Sequence, residues 1–199
     1  MYNGDEKIIR NGKYMQYTML DFWKWAYSNI RYNMQRGTFA DFLVRCALED
    51  GGLATRTEIG TGFEPYDLEG PIIPSTGNPS RIEVKSAAIL QAWGPSSRIA
   101  FSIAPARVQE NGDIKHNSPQ QRNNDLYVFA YYKATDSSAN ILDLYWWKFY
   151  VLPTYKINED ARLSKQKTIS LKSVVAMCKE LSFDELYDEI KSTCNEIPK

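Results

Sequence analysis

Tyr66-Asp67, a loop, and then Arg81-Ile82-Glu83-Val84-Lys85-Ser86 decide how this chain is read. Asn78-Pro79-Ser80 places turn residues ahead of the second segment, so 81–86 reads as a strand. Successive side chains of a strand point to opposite faces. Ile82 and Val84 therefore share an apolar face that suits a core, and Glu83 and Lys85 share the other. A carboxylate and an amine fixed side by side, with the second carboxylate of Asp67 upstream, suit a metal-assisted hydrolytic site. Asp67 and Glu83 offer hard oxygen ligands for Mg²⁺, and the carbonyl of Val84 offers another. Lys85 then stands beside the attacking water and the scissile phosphate.

The pattern Asp67…Glu83-Val84-Lys85 resembles the active-site signature of the PD-(D/E)xK nucleases, the restriction-endonuclease-like superfamily. Arg36-Gly37-Thr38-Phe39-Ala40-Asp41-Phe42-Leu43-Val44 is similar to the acidic first-core-helix motif of bacterial members. Glu83-Val84-Lys85-Ser86-Ala87-Ala88-Ile89-Leu90-Gln91-Ala92-Trp93 is similar to their Glu-x-Lys strand and following Gln. One departure is plain: the Pro-Asp dipeptide is interrupted as Pro65-Tyr66-Asp67. Only the acid does chemistry, so the proline is dispensable.

The resemblance implies an α/β, restriction-endonuclease-like three-layer fold. Its mixed central sheet would have about five or six strands flanked by helices on both faces. It implies a Mg²⁺-dependent endonuclease acting on DNA, with Mn²⁺ as a substitute, in a restriction or phage-defence setting. Asp67, Glu83 and Lys85 would be catalytic. Gln91 would contact the phosphate or the water, against a structural amide as the other reading. Asp41 would be a supporting carboxylate. Double-strand cutting needs two sites, which points to a homodimer. The competing function is a catalytically inactive nuclease-like module that binds nucleic acid or a protein partner.

The chain has 199 residues and reads as a single domain over 1–199, with 1–16 as a mobile lead-in. A hydrophobic share of 43% supplies a substantial core and argues against disorder. No apolar run is long enough to span a membrane, and the polar N-terminus lacks a signal-peptide core. The expected location is the cytoplasm. The formal net charge is zero, which argues against coating nucleic acid through bulk charge. A local cluster of Arg and Lys would have to supply the field. Cys46, Cys178 and Cys194 are widely spaced and read as core residues, with neither disulfides nor structural zinc.

Thr18 and Asp21 form a capping-box pattern for a helix through Ile30, in which Trp23 and Trp25 read as packing residues. Arg36-Gly37 reads as a break, with a new helix from Thr38 burying Phe39, Phe42, Leu43, Cys46 and Ala47 and ending at Gly51-Gly52. Asp41 has a local reading beside the family one. Thr38-x-x-Asp41 is a capping box, Arg45 lies one turn on, and Asp41 lies opposite the apolar stripe. Strands are expected at Leu53–Ile59 and Phe63–Leu68, the second carrying Asp67 with Glu69 as its rival.

Trp93 reads as packing, and Arg98–Ile103 as the next strand. The polar segment 105–124 includes Arg107, Lys115, Gln121 and Arg122, whose side chains suit phosphate and base-edge contacts as well as a solvated loop. His116, the only histidine, reads as a surface residue. Leu126–Tyr132 and Leu142–Leu152 read as antiparallel neighbours. Helices follow from Ser170 and from the capping box Ser182-x-x-Glu185. No Gly-rich phosphate loop, GxSxG or HExxH competes with Asp67, Glu83 and Lys85.

Overall fold

The alternation read in 81–86 continues over ten residues, Pro79–Ala88, in a computed structural model of the chain. The structure describes residues 2–54, 65–107 and 118–199, together with the backbone of 109–110 and 113–114. In chain order the main elements are β1 (Lys7–Arg10), β2 (Lys13–Thr18), α1 (Met19–Tyr27), α2 (Asn33–Asp50), β3 (Leu68–Ile72), β4 (Pro79–Ala88) and β5 (Ala100–Ser102). They continue with β6 (Leu126–Tyr132), β7 (Trp147–Pro153), α3 (Thr154–Glu159), β8 (Thr168–Ser170), α4 (Leu171–Met177) and α5 (Leu186–Glu196).

Four strands form the central sheet among the described residues, in the order β7-β6-β4-β3. The sheet is mixed: β6 runs parallel to β4, while β7 and β3 are antiparallel to their neighbours. The described residues thus supply four of the expected five or six strands. Part of the difference falls at 53–68, because 55–64 lie outside the described residues. The parallel register is locked at its start. Arg81 donates from its backbone N–H, Nε and Nη2 to the Asp125 carboxylate at 2.7–3.0 Å, and Asp125 N–H returns a bond to the Arg81 carbonyl. A bidentate Arg–carboxylate pair fixes geometry as well as charge.

Helices cover both faces. On one, α2 and α5 pack Ala40, Leu43, Val44, Leu48, Leu186 and Ile190 against Ile82, Val84, Val128 and Phe149. On the other, Phe101, Ile157, Ile169 and Val174 cover Tyr127, Phe129 and Tyr150. Each large side chain buried this way contributes about 1.5–3 kcal/mol, far more than an exposed ion pair. The apolar alternation therefore sets the orientation of β4, and Glu83 and Lys85 follow it.

Several local readings change. Residues 7–18, within and beyond the stretch read as a lead-in, form the antiparallel hairpin β1–β2. Its turn holds Asn11 and Gly12 at φ 51° and 75°, the left-handed pair a two-residue hairpin turn needs. The Thr18–Asp21 capping box is present, yet α1 buries none of its residues, and Trp25 is 85% exposed. Trp93 is also mostly exposed. Neither ring is a packing residue.

Arg36-Gly37 does not break a helix, because α2 runs through both. A glycine inside a helix costs only about 1 kcal/mol, which the packing of Ala40, Val44 and Leu48 outweighs. The buried stripe of α2 is Ala40, Leu43, Val44, Ala47 and Leu48, and Phe42 faces outward. The second long strand starts at Trp147, after a 3₁₀ turn at Leu144–Trp146. Ser182 makes its capping bonds to the Glu185 carboxylate just ahead of α5.

Candidate active site

Asp67 sits immediately before β3, where that strand meets the middle of β4. Leu68 lies opposite Ile82, and β3 runs from there toward the start of β4. The N–H of Asp67 donates to the carbonyl of Ile82 at 2.9 Å. Its Oδ2 accepts the N–H of Val84 at 2.7 Å. The acid thereby takes the place of a ladder partner at the point where β3 ends its pairing. The N–H and C=O of one strand residue point the same way. The carbonyl of Val84 therefore faces the side on which Asp67 sits.

Glu83 and Lys85 project from β4 on the face they share with Tyr127 and Phe129 of β6, their register partners. Glu83 Oε1 and Lys85 Nζ form an ion pair, with the side chains 21% and 29% exposed respectively. Burial raises the Glu83 pKa, and the charge of Asp67 raises it further, against the opposing pull of Lys85. Burial disfavours the Lys85 ammonium, but Glu83, Asp67 and Asp41 outweigh it and hold the amine above its ordinary value.

Asp41 joins this group. Its position on α2 follows from the rotated stripe: Ala40 and Val44 face the core, and Asp41 is turned toward the β4 edge rather than away from the sheet. Burial pushes its carboxyl up to about 7, with Asp67 and Glu83 adding and Lys85 opposing. Arg45 pairs with Glu49 at 2.9 Å. α2 begins at Asn33, so Thr38 is not its cap. Three carboxylates and one ammonium thus feel each other's charge at one edge of the sheet.

The donor set is all hard oxygen, which suits Mg²⁺ better than a softer metal. Asp67, Glu83 and the Val84 carbonyl are the groups able to hold it. Among the described residues no three His, Cys, Asp or Glu side chains are already gathered closely enough to form a metal cage. Glu83 is engaged by Lys85 and Asp67 by the Val84 N–H. A cation here would compete with Lys85 for Glu83.

The other expected site residues lie in different surroundings. Gln91 accepts from Arg36 Nη1 at 3.1 Å and donates to the Ala88 carbonyl at 2.7 Å, so its amide holds protein groups. Glu69 accepts from Tyr66 Oη at 2.9 Å and pairs across the ladder with Arg81, away from Val84. Arg122 is engaged within the protein. Its guanidinium donates to the carbonyls of Ile103, Leu163 and Gln166 and to Asn158 Oδ1. Gln121 pairs in a short ladder with Ala106 and bonds Asn123, while Arg107 is exposed. Lys115 and His116 lie outside the described residues.

Arg36 was missed as a functional candidate. It is buried at 3% exposure on the same stripe as Ala40 and Leu43. An arginine in register with a helix's apolar face was the available signal.

No protein-family model matches the chain, and no curated protein matches it. A solved structure similar to it is that of a bacterial homing endonuclease, at 19% identity. The match covers 68% of this chain and 74% of that one, with a TM-score of 0.38. A likeness at that level assigns neither fold nor function. No described helix is long and apolar enough to cross a membrane.

Proposed function

We propose that this chain is a Mg²⁺-dependent endonuclease of the PD-(D/E)xK type that hydrolyses phosphodiester bonds in DNA. The observation that carries the reading is the meeting of Asp67, Glu83 and Lys85, with Asp41 behind them, at the one edge of β4 that β3 leaves uncovered. Asp67, Glu83 and the Val84 carbonyl would hold the cation. When bound, the metal supplies the Lewis acidity that activates water and neutralises charge on the phosphate.

The chain's own residues do the rest. The Val84 N–H fixes Asp67 in one orientation. Glu83 keeps Lys85 charged and aimed along the edge. Lys85 would offset the negative charge that grows on the phosphate in the transition state. Asp41, whose carboxyl is pushed up to about 7 by burial and the neighbouring carboxylates in the metal-free chain, would be drawn toward its ionised form by a cation beside it.

A second reading has its own support. The Glu83–Lys85 ion pair and the lack of a preformed three-acid cluster among the described residues suit a nuclease-like module that binds without cutting. Incubation with supercoiled plasmid in Mg²⁺ and in EDTA separates the two. The nuclease reading expects nicked or linear product only with the metal, and none from Asp67→Ala or Glu83→Ala. Cleavage left intact in both variants would overturn it, and an inert wild type in Mg²⁺ and Mn²⁺ would leave the binding module.

A further inference from the structure

Arg36 is a buried cation without an anion among the described residues. Its Nη2 donates to Asn33 Oδ1 at 2.8 Å, and its Nη1 donates to Gln91 Oε1 at 3.1 Å and to the Arg31 carbonyl at 3.4 Å. Nε has no hydrogen-bond partner. All three acceptors are neutral. Arg36 forms no ion pair among the described residues, and burial alone lowers its proton affinity. A buried charge with only neutral partners is costly, on the order of several kcal/mol, and an anion from outside the chain is something that would offset it.

The surroundings of this guanidinium say what that something is. Arg36 lines a cavity of about 220 Å³ together with Asn33, Ser86, Gln91 and Arg98, and no carboxylate is among the lining residues. Two arginines face one polar cavity, one fixed by Gln91 and one exposed at the rim. Guanidinium groups match phosphate oxygens in fork geometry. The cavity also adjoins the candidate active site. Ser86 is two residues beyond Val84, so it presents its backbone on the same side of β4, about 7 Å further along.

We propose that Arg36 and Arg98 bind a backbone phosphate of the nucleic-acid substrate, next to the one placed at Asp67, Glu83 and Lys85. Gln91 is then a positioning residue: it holds the Arg36 guanidinium toward the cavity by anchoring itself on the Ala88 carbonyl. The inference rests on the nucleic-acid part of the proposed function, and not on cleavage.

The test uses the full chain with two probes in EDTA. In the first, inorganic phosphate at millimolar concentration is expected to raise the Tm of the wild type, because a ligand for the folded state stabilises it. The rise should vanish in Arg36→Met and shrink in Arg98→Ala, whose exposed side chain leaves folding intact if the first variant fails to fold. In the second, anisotropy of a labelled DNA duplex is followed against salt. Each variant should weaken binding about tenfold and reduce the slope of log K against log salt by about 1, the loss of one phosphate contact.

A wild-type Tm indifferent to phosphate would overturn the site. A phosphate effect with unchanged DNA affinity and salt slope in both variants would overturn the backbone assignment in favour of a free phosphate compound. Because no step requires hydrolysis, a protein that fails to cut plasmid yet passes both arms loses the nuclease reading and keeps this one.

Discussion

At the residue scale, Asp41 carries the largest consequence. Its folded pKa lies near 7, well above the ordinary aspartate value, through burial and the neighbouring carboxylates. Below pH 4 the residue is protonated in both the folded and unfolded chains, and the raised affinity favours the fold. As pH rises through 7 that advantage is lost, because the folded state must then carry a buried charge. Glu83 shifts the same way, whereas Lys85 keeps its contribution until alkaline pH. Urea titrations without metal should show Asp41→Asn gaining about 1–3 kcal/mol over the wild type at pH 8 and little at pH 4. Equal effects at the two pH values would show that Asp41 is not held among like charges.

Residue types were readable and their directions only partly so. Asp67, Glu83 and Lys85 announce themselves by chemistry and alternation. The turn of Asp41 toward β4 depends on which side of α2 is buried. With Phe42 counted into the stripe, the predicted face was rotated and Asp41 fell on the wrong side. Arg36 escaped notice for the same reason, since a helix that starts at Asn33 rather than Thr38 places it inside.

At the element scale, β4 was the most legible part of the chain. It is a central strand, its two faces differ sharply in character, and turn residues precede it. The β1–β2 hairpin was not legible, because all four residues of β1 are exposed and no buried face imposes a period of two. Arg122 shows what a polar segment leaves open. It reads as nucleic-acid contact by type, yet it ties together Ile103, the turn at Leu163 and the approach to β8. Arg122→Ala should therefore lower stability by about 2–3 kcal/mol in denaturant melts and leave the salt slope of DNA binding unchanged. The β3–β4 contact offers a second test. A Cβ on Gly70 would meet Ser80 Oγ at 2.5 Å and Ile82 Cδ1 at 2.6 Å. Gly70→Ala should cost about 1–3 kcal/mol and loosen the edge that holds Asp67, which a fall in Tm would register.

At the scale of the whole molecule, a sheet edge that one strand covers only in part gathers acid, amine and carbonyl, and beside it lies a cavity with two arginines. The chain's net charge of zero is compatible with nucleic acid because the positive charge is local: Lys85 at the edge, Arg36 and Arg98 beyond it. Under the proposed reading, hydrolysis would fall at the middle of β4 and grip at the next stretch of the same edge. The most direct test is the single-turnover rate of duplex cleavage in saturating Mg²⁺ by Lys85→Ala, with circular dichroism verifying the fold. The predicted result is a fall of at least about a hundredfold with the fold retained. A folded Lys85→Ala protein that cuts at the wild-type rate would contradict the account.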